Sequence, residues 1–309
     1  MEYKLSSLEK GLLKNISDIE DYPKGAFNIR KNGKALKRNV TENINIIPKE
    51  DKPGIDIIVK ADTKKETVYI PVIMTEGAMT DLVYNDFYIG ENADVTIIAG
   101  CGIHNTSCET AEHDGIHRFF LEKNAKVKYV EKHYGEGKGT GKRILNPQTI
   151  VNLKSGSYLE METVQIKGVD SSIRQTRGKL EENTNFVVNE KIMTHGTQNA
   201  VTKFEVELNG DNASTKVTSR SVAKDSSKQH FVSNIIGNTK CFGHVECDAI
   251  IMDNAVVKAT PEIEANNIEA RLIHEAAIGK IAGDQLTKLM TLGLSETEAE
   301  QEIINGFLK

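Results

Sequence analysis

The chain has no tryptophan, and its aromatic share is only 6% of 309 residues. Grooves that bind polysaccharide need aromatic platforms, so a carbohydrate lyase or hydrolase is disfavoured. A basic excess is also missing. The formal net charge of −5 gives no support to nucleic-acid binding, which shows as clustered Lys and Arg. No apolar run reaches the roughly eighteen residues of a membrane-spanning helix, so none is expected. The segment Met1–Lys10 lacks the apolar core of a signal peptide, and the chain reads as cytoplasmic. Cysteines number four, Cys101, Cys108, Cys241 and Cys247, and none forms a Cys-x-x-Cys pair. That argues against a structural zinc knuckle and favours thiols, metal ligands or sulfur carriers over disulfides.

What is present is a body of short alternating runs. With 39% apolar and 27% charged residues, the chain has enough to build a long core, as one elongated domain or two ordinary ones. Residues 1–40 mix helical patches, such as Leu5 to Leu13, with polar turns. Residues 41–270 are rich in Val, Ile and Thr, punctuated by Asn-Ala, Gly-Asn and Gly-Ser turns. Four units look alike: Asn92-Ala-Asp-Val95, Asn124-Ala-Lys-Val127, Gly156-Ser-Tyr-Leu159 and Asn254-Ala-Val-Val257. The first three place their apolar residue at 95, 127 and 159, a constant step of 32. Units around Asn183 and Gly210 follow at shorter intervals. Recurring turn-plus-strand units without intervening helices predict a β-solenoid. The alternative is an antiparallel sandwich or barrel, which also has many short strands.

Near the C-terminus the period changes. Ile278, Ile281, Ala282, Leu286, Leu289 and Met290 recur at helical spacing and predict one apolar stripe. Gly293 is placed to end that helix, and Ser295 with Glu298 forms a capping box for a second one. This helical pair either covers the end of the domain or docks another protein. At the changeover stand His274 and Glu275, an imidazole and a carboxylate, with Cys247 upstream on one of the last strands. A thiolate, a nitrogen and an oxygen donor near a fold boundary suggest a metal or iron–sulfur site. In a regular strand Cys241 and Cys247 share a face and His244 takes the other. The stretch His104 to His117 holds three histidines, Cys108 and several acids, either a metal site of its own or a polar loop.

The run His274-Glu275-Ala276, Asp284-Gln-Leu286, Gly293-Leu-Ser-Glu-Thr-Glu-Ala299 and Ile304-Asn-Gly-Phe307 resembles the end of the SufB/SufD family of iron–sulfur cluster assembly scaffolds. Cys247-Asp248 with Pro261-Glu-Ile-Glu264 is similar to the strand pair that leads into it. Ala99-Gly100-Cys101 with Gly115-Ile-His117 looks like a looser match to the family core. The resemblance covers roughly residues 85–309. It is most like the short single-gene SufB-type form of minimal SufBC systems, because the N-terminal portion is short. Ile273 stands where SufB-like chains often carry a glutamate.

The resemblance implies a mainly β protein: a right-handed parallel β-helix core at 71–270, a small N-terminal α/β region at 1–70 and a C-terminal helical subdomain at 271–309. It implies a scaffold, not an enzyme, that builds a transient iron–sulfur cluster and passes it to apo proteins. The expected partners are a SufC-type ABC ATPase, which alone handles ATP and Mg, and a second copy joined through the C-terminal end of the β-helix. A sulfur donor is expected too. Cys247, His274 and Glu275 become the expected ligands, a set labile enough to release what it builds. His274 and Glu275 reach one iron only if the backbone bends between them. Cys101 becomes the candidate sulfur acceptor, its thiolate favoured by His104, His113, His117 and Arg118. The alternative within the family is a SufD-like structural partner of the ATPase that binds no cluster.

Overall fold

The computed structural model describes residues 3–309. From Met79 onward the strands are mostly ten or eleven residues long and alternate buried with exposed positions, as in Ala111–Leu121 and Asn199–Leu208. This is the period of a sheet with one face in the core. Successive strands cross between two sheets, so each coil adds one strand to each. One sheet runs through Asp94–His104, Lys126–Glu136, Tyr158–Lys167, Asn185–Thr194, Ser214–Ala223, Phe242–Ile251 and Arg271–Gly279. The facing sheet runs through Ala111–Leu121, the broken strand Arg143–Leu145 and Gln148–Leu153, Ser171–Leu180, Asn199–Leu208, Lys228–Gly237 and Val256–Ala265. Pairing within this body is parallel, and the result is a β-solenoid of about eight turns. The sandwich alternative is excluded.

The step of 32 is the length of one coil. Val95, Val127 and Leu159 stack in register across adjacent strands, and Phe186, 27 residues on, continues the column. Coil corners require a left-handed backbone. Asn92, Asn124, Asn183 and Asn212 take it with φ of 56°, 57°, 56° and 59°, and Gly156 holds the equivalent place at 73°. Asparagine is the side chain that tolerates this region best. Here the amides also join vertically, Asn124 Nδ2 donating to Asn92 Oδ1 at 3.3 Å and Asn212 Nδ2 to Asn183 Oδ1 at 3.1 Å. The Asn254 unit does not belong to this column. It turns the opposite corner, above Asp225, and leads into the facing sheet.

The helix Ser7–Ser17 buries Leu12, Leu13 and Ile16 on the outside of the first sheet. Gly102 makes room for it, since a side chain there would meet Leu12 and Ile16 at 3.4 Å. Two antiparallel pairings, Ala26–Lys31 with Lys34–Asn39 and Ile44–Pro48 with Gly54–Val59, close the N-terminal end. At the other end the helical stripe starts later than its spacing predicts. Ile278 still lies in the strand Arg271–Gly279, and helices occupy Gly283–Thr291 and Glu296–Phe307. Ala276-Ala-Ile-Gly-Lys-Ile-Ala282 suits either period, and pairing with Phe242–Ile251 decides for strand. Ile304 and Leu308 then pack on Val222 at the coil edge. The Ser295–Glu298 capping box forms as expected, and Gly293 has φ 100°.

Candidate functional site

Cys247 points into the solenoid from the strand Phe242–Ile251, on the same face as Cys241 and Val245. Arg271–Gly279 pairs with that strand in unbroken register, setting His274 beside Val245 and Ala276 beside Cys247. Aligned residues of parallel strands share a face, so His274 faces inward with Cys247. It lies one strand across and two residues back, roughly 8 Å between Cα atoms. Its Nε2 is buried without a hydrogen-bond partner. Burial, and then His244, lower the His274 pKa, which favours the neutral ring that a soft metal needs. No bulge interrupts the pairing, so Glu275 points outward, where its Oε2 lies 3.3 Å from His244 Nε2. The backbone bend needed to bring Glu275 and His274 to one ion is absent. Of the three expected ligands, two share a face.

Both strands of the last coil are sheet edges, and the coil is open. Val256, Ile263, Ile268, Ile273 and Ile278 are all exposed there. Among the described residues no three His, Cys, Asp or Glu side chains are gathered closely enough to hold a metal ion. One chain alone therefore has no complete ligand set at this end. The polar stretch from His104 to His117 likewise gathers no three such side chains.

Behind Cys247 runs a buried polar column; interior polar side chains leading to it were expected, but not which residues supply them. Adjacent rungs carry Glu131, Thr163, Glu190, Ser219 and Cys247 in register. From the facing sheet Arg174 reaches into it. The guanidinium donates to Glu131 Oε2, lies 3.4 Å from His133 Nδ1, and has its Nε 3.7 Å from Glu190 Oε1. Glu190 accepts from Thr202 and Ser219 hydroxyls, each at 2.8 Å. Burial works to raise the Glu131 carboxyl, but the charges of Arg174 and His133 prevail and hold it well below the usual range. For Glu190 burial prevails and raises it. Cys247 is pushed up to about 12, first by burial and then by Glu190 and Asp248. In the closed molecule it is a thiol. The signal was available: with Val127 and Tyr129 facing inward, alternation sends Glu131 and His133 inward too.

Cys101 requires a correction. It faces inward, 1% exposed, and its pKa is raised well above the ordinary value by burial, then by Asp81 and Glu131. The expected cationic surroundings do not form. His104 is bound to Glu136 at 3.0 Å, Arg118 to Asp86 at 2.7 Å, and His113 to Asp81 at 3.2 Å. His117 is lowered to about 4, chiefly by burial, and is neutral. Five strand steps separate the rungs of Cys101 and Cys247, roughly 24 Å, so sulfur cannot pass directly between them. Cys108 is the exposed cysteine.

Comparison with known proteins is consistent with this geometry. Residues 75–307 match the family model for the SUF system FeS cluster assembly SufBD core domain. An iron-sulfur cluster assembly SufBD family protein of Methanocaldococcus jannaschii is 28% identical over 291 residues, 92% of this chain and 90% of the relative. One from Archaeoglobus fulgidus is 26% identical over 278 residues, 89% of this chain and 73% of its own length. One from Methanothermobacter thermautotrophicus is 31% identical over 227 residues, 71% of this chain but 53% of that longer protein. No helix of the described residues is long and apolar enough to cross a membrane.

Proposed function

This chain belongs to the SufBD-core family of SUF-system iron–sulfur cluster assembly proteins, and from that premise we propose that it is the scaffold on which the nascent cluster is built. The cluster is its cargo, held by Cys247 and His274 at the open end of the solenoid and completed by a second copy of the chain. The observation that carries this reading is the pairing of an inward thiol with an inward imidazole whose Nε2 has no partner, in the last open coil. A cluster there replaces the proton on Cys247 and occupies the lone pair of His274. Glu275, on the outer face beside His244, serves as a ligand only from across the subunit contact. The incomplete set within one chain and the exposed apolar end support the two-copy arrangement.

A SufC-type ABC ATPase is the second proposed partner. The helix Gly283–Thr291 buries none of its residues, and Met290 and Leu292 are exposed beside half-buried Leu286 and Leu289. Closure of the ATPase would strain the helices and open the joined coils. Delivery of sulfur through Cys101 needs such opening, because in the closed coil that thiol is buried and protonated. The SufD-like alternative, a partner without a cluster, has no use for the Cys247 and His274 arrangement. Anaerobic reconstitution with ferrous iron, sulfide and the ATPase separates the two. The wild type is expected to develop visible charge-transfer absorption that Cys247→Ala loses and His274→Ala alters. Three identical spectra would reject the ligand assignment.

A further inference from the structure

Far from that end, the interior holds a second polar space. Ala111–Leu121 sends His113, Gly115 and His117 inward, and Asn85 stands beside His117 on the neighbouring strand. Cys101 closes the space from the strand Asp94–His104 of the other sheet, and a cavity of about 10 Å³ remains between them. That is room for about one water-sized molecule. The empty Cβ direction of Gly115 is the cradle: a Cβ there would stand 3.0 Å from His117 Nε2 and 3.4 Å from His113 Nε2.

The outer nitrogens of both rings are already committed. Asp81 is held ionised and can only accept, so His113 Nδ1, 3.2 Å away, donates to it. Tyr129 donates to Glu131 at 3.0 Å, so its oxygen accepts from His117 Nδ1 at 2.6 Å. Each ring thus commits its Nδ1 hydrogen, and both Nε2 atoms face the cavity beside Gly115. Asn85 Nδ2 lies 3.4 Å from His117 Nε2, and Asn85 Oδ1 is buried with no partner at all. A buried acceptor without a donor costs about 1–3 kcal/mol. Asn85 Oδ1, which has no donor, stands with His113 Nε2 around one small space and calls for a molecule that brings hydrogens. An anion is disfavoured by the same acceptors and by the nearby carboxylates of Asp81 and Glu131. A metal ion is disfavoured because these side chains do not gather at ligating distance.

We propose that this chamber binds one small neutral molecule carrying two hydrogens, water or hydrogen sulfide, one donated to His113 Nε2 and the other to Asn85 Oδ1. The proposal makes no use of the Cys247 site and fails or stands separately from it. Hydrogen sulfide in this place would sit against the Cys101 thiol with no covalent step.

The test uses crystals of the full chain grown anaerobically, with and without sodium sulfide, and long-wavelength anomalous data. A peak within hydrogen-bond reach of His113 Nε2 and Asn85 Oδ1 is expected. An anomalous signal after sulfide identifies hydrogen sulfide, and a peak without one identifies water; either upholds the proposal. An empty chamber in both crystals, or a metal-strength anomalous peak, overturns it. Gly115→Ala should lose the peak, and a peak that persists unmoved also overturns it. Should that variant fail to fold, ring ¹⁵N spectra of the wild type decide: both histidines are expected as Nδ1–H tautomers, and Nε2–H would remove the acceptors.

Discussion

Arg174 is a costly side chain for the interior to lose, because it bridges Glu131 and Glu190. Arg174→Met leaves a buried carboxylate without its counter-charge, a loss of about 3–5 kcal/mol. Urea unfolding of wild type and variant checks it. His117 gives a pH dependence of defined sign. Its folded value of about 4 lies below the ordinary 6.5, so the unfolded chain takes the proton first. Its contribution is complete above about pH 6.5 and is lost as pH falls toward 4, up to about 3 kcal/mol. Glu190, raised in the fold, acts in the opposite sense, so the informative quantity is a difference. Unfolding midpoints should fall less between pH 7 and pH 5 in His117→Gln than in the wild type. At this scale alternation alone put Cys241 and Cys247 on one face. The surroundings of Cys101 were not legible, because Asp81 and Glu131 reach it from strands far apart in sequence.

Individual elements were read well where the pattern had one meaning. The 32-residue step, the asparagine corners and the Ser295 capping box all appear as expected. Failures came from ambiguous strings. Asn254-Ala-Val resembles the Asn92 corner yet turns the other edge, where the left-handed residues are Asp225 and Asp253 and not the asparagine. Ala276 to Ala282 satisfies strand and helix periods alike, and only an adjacent strand chooses between them. The short helix Gly283–Thr291 carries its own prediction. Leu286→Glu with Leu289→Glu should leave the solenoid folded by circular dichroism, since the helix buries none of its residues. Binding of the ATPase in a pull-down should fall at least tenfold. Undiminished binding would move the docking surface elsewhere.

The whole molecule is a solenoid closed at its N-terminal end by antiparallel pairings and open at the other. An open coil lined with exposed isoleucines presents both unpaired main-chain edges and apolar area, the two features through which solenoids join. Pairing of two copies there would bring two Cys247–His274 sets into one enclosure. Native mass spectrometry of the anaerobically reconstituted chain tests this most directly. Cluster mass is predicted only on the dimer and is predicted to vanish in Cys247→Ala. Cluster mass on the monomer, or in equal amount on Cys247→Ala, would contradict it.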